Sequence, residues 1–202
     1  MSPARRRTSR DGIVAAARAL LEEAGLDAVT MASVAGRVGV RPPSLYKHVH
    51  DRSALIAAVA EDAAGDLAAV LTGAATAPGD APARVAALAN AYRAWARRSP
   101  RAATLLFADL EPSARPPIEA GARAAKPVIE VAAALVGEDS ALPAARVLVS
   151  FAYGFTSMEL AGAFRLGGDV DEAFRLGIEA LTRGLAPREP TAGYPETVPA
   201  QS

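Results

Sequence analysis

The sequence predicts an all-α protein with a three-helix N-terminal head, a larger C-terminal helical domain and about nine helices in all. Three observations carry that expectation. About half of the residues (51%) are hydrophobic, alanine foremost among them, and alanine is the strongest helix former. Apolar positions recur every three or four residues through most of the chain, the period of a helix with one buried face. The periodic stretches are separated by glycine and proline, which end helices, and the aromatic residues favoured in sheets make up only 5%.

The first helix is expected to open on Thr8, with Asp11 three residues on completing a start like a capping box. Ile13, Ala17, Leu20, Leu21 and Ala24 then form one stripe, and Gly25 closes the helix. Thr30 caps a second helix that turns Met31, Val34, Ala35 and Val38 inward and stops at Gly39. The chain restarts at Arg41-Pro42-Pro43-Ser44, where proline is tolerated because first-turn amides have no partner. This third helix ends near Val49, and Leu45 and Val49, four apart, give it an inward face. Asp51 starts a fourth helix reaching about Leu71, with Leu55, Ile56, Val59, Ala63, Leu67, Val70 and Leu71 on its apolar side. Residues 72–82, rich in Gly, Pro, Ala and Thr, read as a loop.

Helical spacing then resumes. Pro82 to about Arg98 places Val85, Leu88, Ala89, Tyr92 and Trp95 on one side. Ser99-Pro100 breaks it, and a short helix follows to Leu110. The next runs from Pro112 to Val136, with Pro127 expected to kink or divide it. After Gly137, Leu142–Arg165 is a long apolar helix, Gly167-Gly168 turns the chain, and Val170–Leu185 is the last. Residues 1–52 form the head and 53–186 the larger domain. Residues 187–202, with four prolines and few apolar side chains, read as a disordered tail.

Composition excludes several classes. With no cysteine, disulfides and thiolate metal sites are ruled out. Both histidines, His48 and His50, lie in the head at i, i+2, on different helix faces, so no metal site is expected. No Gly-rich phosphate loop or GxSxG motif is present, and neither an enzyme nor a cofactor is expected. No apolar signal core or membrane-crossing run is found, which reads as a cytoplasmic protein with no membrane partner. Net charge is zero, but residues 1–55 carry nine Lys/Arg against five Asp/Glu, +4, which leaves −4 for the remainder. A basic head on an acidic body suits a protein whose head alone meets phosphate. The Arg5-Arg6-Arg7 cluster reads either as an arm reaching DNA or as a solvated tail.

Residues 34–52 gather these signals. Two short helices joined at Gly39-Val40 form a helix-turn-helix, whose second helix can enter the DNA major groove. That helix offers Ser44, Tyr46, Lys47 and His48 within about one and a half turns.

The series Thr30-Met31, Val34-Ala35, Val38-Gly39-Val40, Ser44-Leu45-Tyr46, His48-Val49, Asp51-Arg52 and Ala54-Leu55 resembles the DNA-binding domain of the TetR family of transcriptional repressors. The resemblance implies a double-stranded DNA operator read by Thr30, Arg41, Ser44, Tyr46, Lys47, His48 and Arg52. Pro42 falls where some members place a base-reading polar residue, which shifts direct readout toward Arg41. Residues 151–160, FAYGFTSMEL, together with Tyr92, Trp95 and Phe107, resemble the ligand domain of the WHG-type subgroup, with Tyr153 replacing its histidine. The family also implies a homodimer, with the last two long helices forming a four-helix bundle, and a small-molecule effector in the larger domain. The dimer contacts expected on that basis are Leu148, Phe151, Phe174, Ile178 and Leu181. The largest side chains of the larger domain, Trp95, Phe107, Tyr153, Phe155, Met158 and Phe164, are the candidates for apolar pocket walls, and Tyr92, Tyr153, Thr156 and Glu159 for its polar groups; all but Phe164 are taken as the expected ligand contacts. Each of these is equally a plain core or interface residue. The runner-up reading is a dimeric helical ligand-binding or interaction protein without operator binding.

Overall fold

Ser9, one residue later than expected, starts the first helix. Its hydroxyl accepts a hydrogen bond from the Gly12 amide at 3.1 Å, so α1 runs Arg10–Ala24. The computed structural model describes residues 9–186, so the Arg5–Arg7 cluster and the expected tail at 187–202 lie outside the described residues. Gly25 closes α1 with φ +89°, a conformation that only glycine adopts without strain. A 3-10 turn, Leu26–Ala28, leads to α2, Met31–Val38. Thr30 caps α2 as expected, in a full capping box whose return arm is Ser33 rather than Glu or Gln. Gly39 ends α2 in the left-handed region, at φ +79°.

The third helix is shorter than its periodicity suggests. Regular helix covers only α3, Pro42–Leu45, and residues 46–48 form a turn. The His48 and Val49 amides both donate to the Leu45 carbonyl, at 2.8 and 2.9 Å. Two prolines without donors and an N-cap, Arg41, without a side-chain cap bond leave this segment little to propagate a longer helix. Asp51 caps α4, Arg52–Ala75, by accepting from the Ala54 amide at 2.8 Å. This helix continues four residues past the expected Leu71, so the following loop shortens to residues 76–80. Alanine at 74 and 75 continues the helix where composition alone read a loop.

Four helices complete the count before the last. They are α5 (Ala81–Arg98), α6 (Pro100–Leu106), α7 (Ile118–Val136) and α8 (Glu138–Leu160), with a 3-10 turn at Pro112–Ala114 before α7. Pro127 does not divide α7, which is one element through it. The last helix, α9, covers Val170–Leu185 as expected, capped by Asp169. Among the described residues there are nine α-helices and no strand.

In the head α1 packs on α4, α2 on α1 and α3 on α2, and α4 runs on against α5, α6 and α7. At 24 residues it spans roughly 36 Å. One buried core runs from Ile13 in α1 to Ile178 in α9. The two ends of the molecule therefore share a rigid element and a common interior, and among the described residues no helix is long and apolar enough to cross a membrane.

Candidate nucleic-acid interface and interior cavity

Leu45 and Val49 fix the rotation of the segment around α3. Leu45 is fully buried and Val49 nearly so, which leaves Arg41, Pro42, Pro43, Tyr46, Lys47 and His48 exposed and Ser44 half-buried. Tyr46 is 55% exposed, an unusual position for a large aromatic ring that has no inward role. The result is a protruding edge carrying a cation, a phenol, an imidazole and a hydroxyl on an apolar support.

Two other expected contacts are engaged within the head. Thr30 Oγ1 accepts from the Ser33 amide at 3.1 Å, and its own amide donates to Ser33 Oγ at 3.0 Å. Arg52 Nε donates to the Val29 carbonyl and Nη2 to the Leu26 carbonyl, both at 2.8 Å. It thereby fastens the start of α4 to the turn that precedes α2. Arg37, on α2, pairs through both terminal nitrogens with Glu23 at the end of α1. Contact with Arg37 holds the Glu23 carboxyl below its ordinary range.

The larger domain encloses a cavity of about 230 Å³. Its walls come from α4 (Ala64, Leu67, Leu71), α5 (Val85, Leu88, Ala89, Tyr92), α6 and its end (Leu106, Phe107), α7 with the preceding Pro116 (Gly121, Ala124, Ala125, Val128), α8 (Leu148, Val149, Ala152) and α9 (Ile178). Tyr92 alone among these carries a polar side-chain atom. Burial, and next the neighbouring Tyr153 phenol, push the Tyr92 phenol well above its ordinary range, so it stays a neutral donor. Phe107 is 44% exposed and stands at the rim.

Of the eight expected ligand contacts, Tyr92 and Phe107 line this cavity. Tyr153 stands behind Phe107, with ring centroids 4.2 Å apart. The other five are placed elsewhere. Trp95 is buried beside Tyr92, with centroids 6.3 Å apart. Phe155 joins an aromatic cluster with Phe151, Phe164 and Phe174. Thr156 is buried with its hydroxyl unpartnered among the described residues, and Met158 is 51% exposed. Glu159 is bound by Arg93, whose Nε and Nη2 reach its two oxygens at 2.8 and 2.6 Å, and also by Arg97. Both arginines reach Asp171 on α9 as well, at 2.8 and 3.1 Å. The Arg93 guanidinium lies 4.6 Å from the Phe174 ring centroid. These contacts, those of Arg93 first, hold the Glu159 carboxyl below its ordinary range. Nothing in the linear pattern singled out Arg93, a cation on a helix face that reads as polar.

Three of the expected dimer contacts are already buried within the single chain. Leu148, Phe174 and Ile178 are at most 6% exposed there and belong to its own core. Phe151 and Leu181 are half-buried and pack against that core. The outward faces are different. On α9, Ala173, Leu176, Ala180 and Gly184 are exposed, and on α8, Pro143, Val147, Ser150 and Met158 are exposed. The two helices approach closely at Gly177, where a β-carbon would lie 2.2 Å from Phe151 Cζ.

A final contact joins head to cavity. The Glu22 carboxylate, in the last turn of α1, accepts from the Arg101 and Ala102 amides at the start of α6, at 3.2 and 2.9 Å. In return Arg101 Nη1 donates to the Glu22 carbonyl at 2.7 Å. The same short helix ends in Leu106 and Phe107 at the cavity.

A helix-turn-helix edge, carried on a helix that also walls an apolar interior cavity, defines a helical regulator of the one-chain kind, with reader and sensor in one fold. Residues 13–59 match the bacterial regulatory proteins of the tetR family, and residues 85–181 match the tetracyclin repressor-like C-terminal domain. An uncharacterized HTH-type transcriptional regulator of Mycobacterium tuberculosis, Rv0681, is 32% identical over 194 residues, covering 94% of this chain and 87% of that one. The class D tetracycline repressor of Escherichia coli is 39% identical over 54 residues, 27% of this chain and 25% of its own. A solved structure of a protein of unknown function from Rhodococcus sp. RHA1 superposes with a TM-score of 0.77 at 28% identity, over 93% of this chain and all of that one. The chain belongs to the TetR family of transcriptional regulators.

Proposed function

We propose that this protein is a repressor that binds a palindromic DNA operator as a homodimer and is released by a small, largely apolar ligand held in the larger domain. It acts in the cytoplasm and by binding, without catalysis. The observation that carries the reading is the sharing of α4, which bears the reading head at one end and Ala64, Leu67 and Leu71 of the cavity wall further along. A ligand that swells the cavity displaces the helix on which the head rides, and two heads must sit about 34 Å apart to reach successive major grooves. Lys47 and His48 supply phosphate contacts, and Arg41, Ser44 and Tyr46 supply the contacts nearest the bases. Arg52 and Thr30 act mainly by holding the head in shape, since their polar groups are engaged within it.

The outward apolar faces of α8 and α9 support the dimer, with residues 1–52 as reader and 53–186 as sensor and dimerisation body. The similarity to the class D tetracycline repressor is confined to the head and does not carry its ligand across. Footprinting on DNA upstream of the protein's own gene, backed by selection from random duplexes, tests the reading. A protected palindrome is expected, and enrichment of no sequence in either assay contradicts it.

A further inference from the structure

We infer that the cavity takes an uncharged small molecule with a hydrocarbon body and a single hydrogen-bond acceptor, a ketone, ether or alcohol oxygen, which meets the Tyr92 hydroxyl. The inference rests on the reading of this cavity as the effector site and names the chemistry of what enters it.

The walls decide most of the matter. Leucine, valine, alanine and phenylalanine side chains from six helices surround the space, and only Tyr92 offers a polar atom. An ion entering it would lose its hydration with no counter-charge to replace it, which costs several kcal/mol or more. No Lys or Arg side chain is among the walls; Arg84, whose Nε is buried without a partner among the described residues, Arg123 and Lys126 adjoin wall residues in sequence but do not line the space. Arg93, adjacent to Tyr92, is held by Glu159 and Asp171, and Arg115, adjacent to Pro116, by the Leu110 carbonyl and Asp109. A carboxylate or phosphate therefore finds no cation on the walls, and an ammonium finds no carboxylate there.

The Tyr92 hydroxyl supplies the one directional contact. Tyr92 is 8% exposed, no hydrogen bond joins its hydroxyl to another described residue, and that oxygen is not among the fully buried unpartnered atoms, so it stays reachable. A reachable phenol without an acceptor favours a ligand that brings one. Size sets the last limit. At about 30 Å³ for each water-sized group, 230 Å³ holds roughly eight such groups, the size of a medium-chain ketone or alcohol.

Isothermal titration calorimetry of the DNA-free full chain with octan-2-one, octanoate and octylammonium tests the class. The expected result is binding of octan-2-one, with both ions weaker by about a hundredfold or more. Tyr92→Phe, which keeps the ring and its packing, should weaken octan-2-one about fivefold. Ala152→Phe, which places a ring in the cavity, should abolish the heat. Binding of either ion as tightly as the ketone overturns the inference, as does no ketone binding or an unchanged affinity in Tyr92→Phe. Release of a labelled operator is followed separately by fluorescence anisotropy. Ketone binding without operator release would contradict the regulatory reading while leaving the ligand class in place.

Discussion

Glu22 and Arg101 grip each other in both directions, the Glu22 carboxylate accepting from the Arg101 amide and the Arg101 guanidinium donating to the Glu22 carbonyl. The pair ties the last turn of α1 to the first of α6 through charge-assisted hydrogen bonds on otherwise orphaned helix-end groups. Through α6, whose far end reaches Leu106 and Phe107, the head has a second attachment to the cavity besides α4.

Glu22→Ala should lower stability by about 1–2 kcal/mol, the cost of a lost helix-end partner. The more telling measurement is the ratio of operator dissociation constants with and without saturating octan-2-one. That ratio should shrink toward one in the variant, because one of two mechanical links is gone. An unchanged ratio would assign all of the coupling to α4.

Arg52 and Lys47 carry the same charge but should fail differently. Lys47 is exposed, whereas Arg52 holds the Leu26 and Val29 carbonyls. Lys47→Ala is expected to leave the melting temperature unchanged and to reduce the slope of log affinity against log salt by about 1.8, the signature of one lost phosphate in each protomer of the bound dimer. Arg52→Ala should instead destabilise the head by about 1–3 kcal/mol, since two carbonyls lose their donor. Denaturation and salt titration of both variants separate a strut from a phosphate ligand.

The Arg93–Glu159 pair should make the fold sensitive to acid. The Glu159 carboxyl sits below its ordinary range when folded, so it binds a proton less readily folded than unfolded. Its stabilising contribution is complete above the unfolded value of about 4.3 and is lost as pH falls through the lower folded value. Wild type should therefore lose melting temperature more steeply than Glu159→Gln below about pH 4.5. Arg93→Met leaves Glu159 without its main partner and should cost about 3 kcal/mol at neutral pH.

The outward faces of α8 and α9 give a separable test of assembly. Leu176 is 57% and Val147 42% exposed, so charging both should yield folded monomers in sedimentation. Phe174→Asp, by contrast, places a charge in the chain's own core and should unfold it. Gly177→Ala should separate α8 from α9 at Phe151 and destabilise the chain by about 1–3 kcal/mol.

The sequence by itself determined the helices and the reader. Leu45 and Val49 at four-residue spacing named the inward side of the head, and the caps at Thr30 and Asp51 named two helix starts, because these are local geometry written in neighbouring residues. Tertiary structure decided where the space is. The sequence pointed to the largest side chains, such as Trp95 and Phe155, as cavity walls. A cavity forms where facing helices bring small ones together, here Ala64, Ala89, Gly121, Ala124, Ala125 and Ala152. It also decided that Phe174 and Ile178 serve the core and that Arg93 joins three helices. An apolar stripe shows that a face is buried, but not whether its own chain or a second copy buries it. That depends on the rotation of each helix against neighbours distant in sequence.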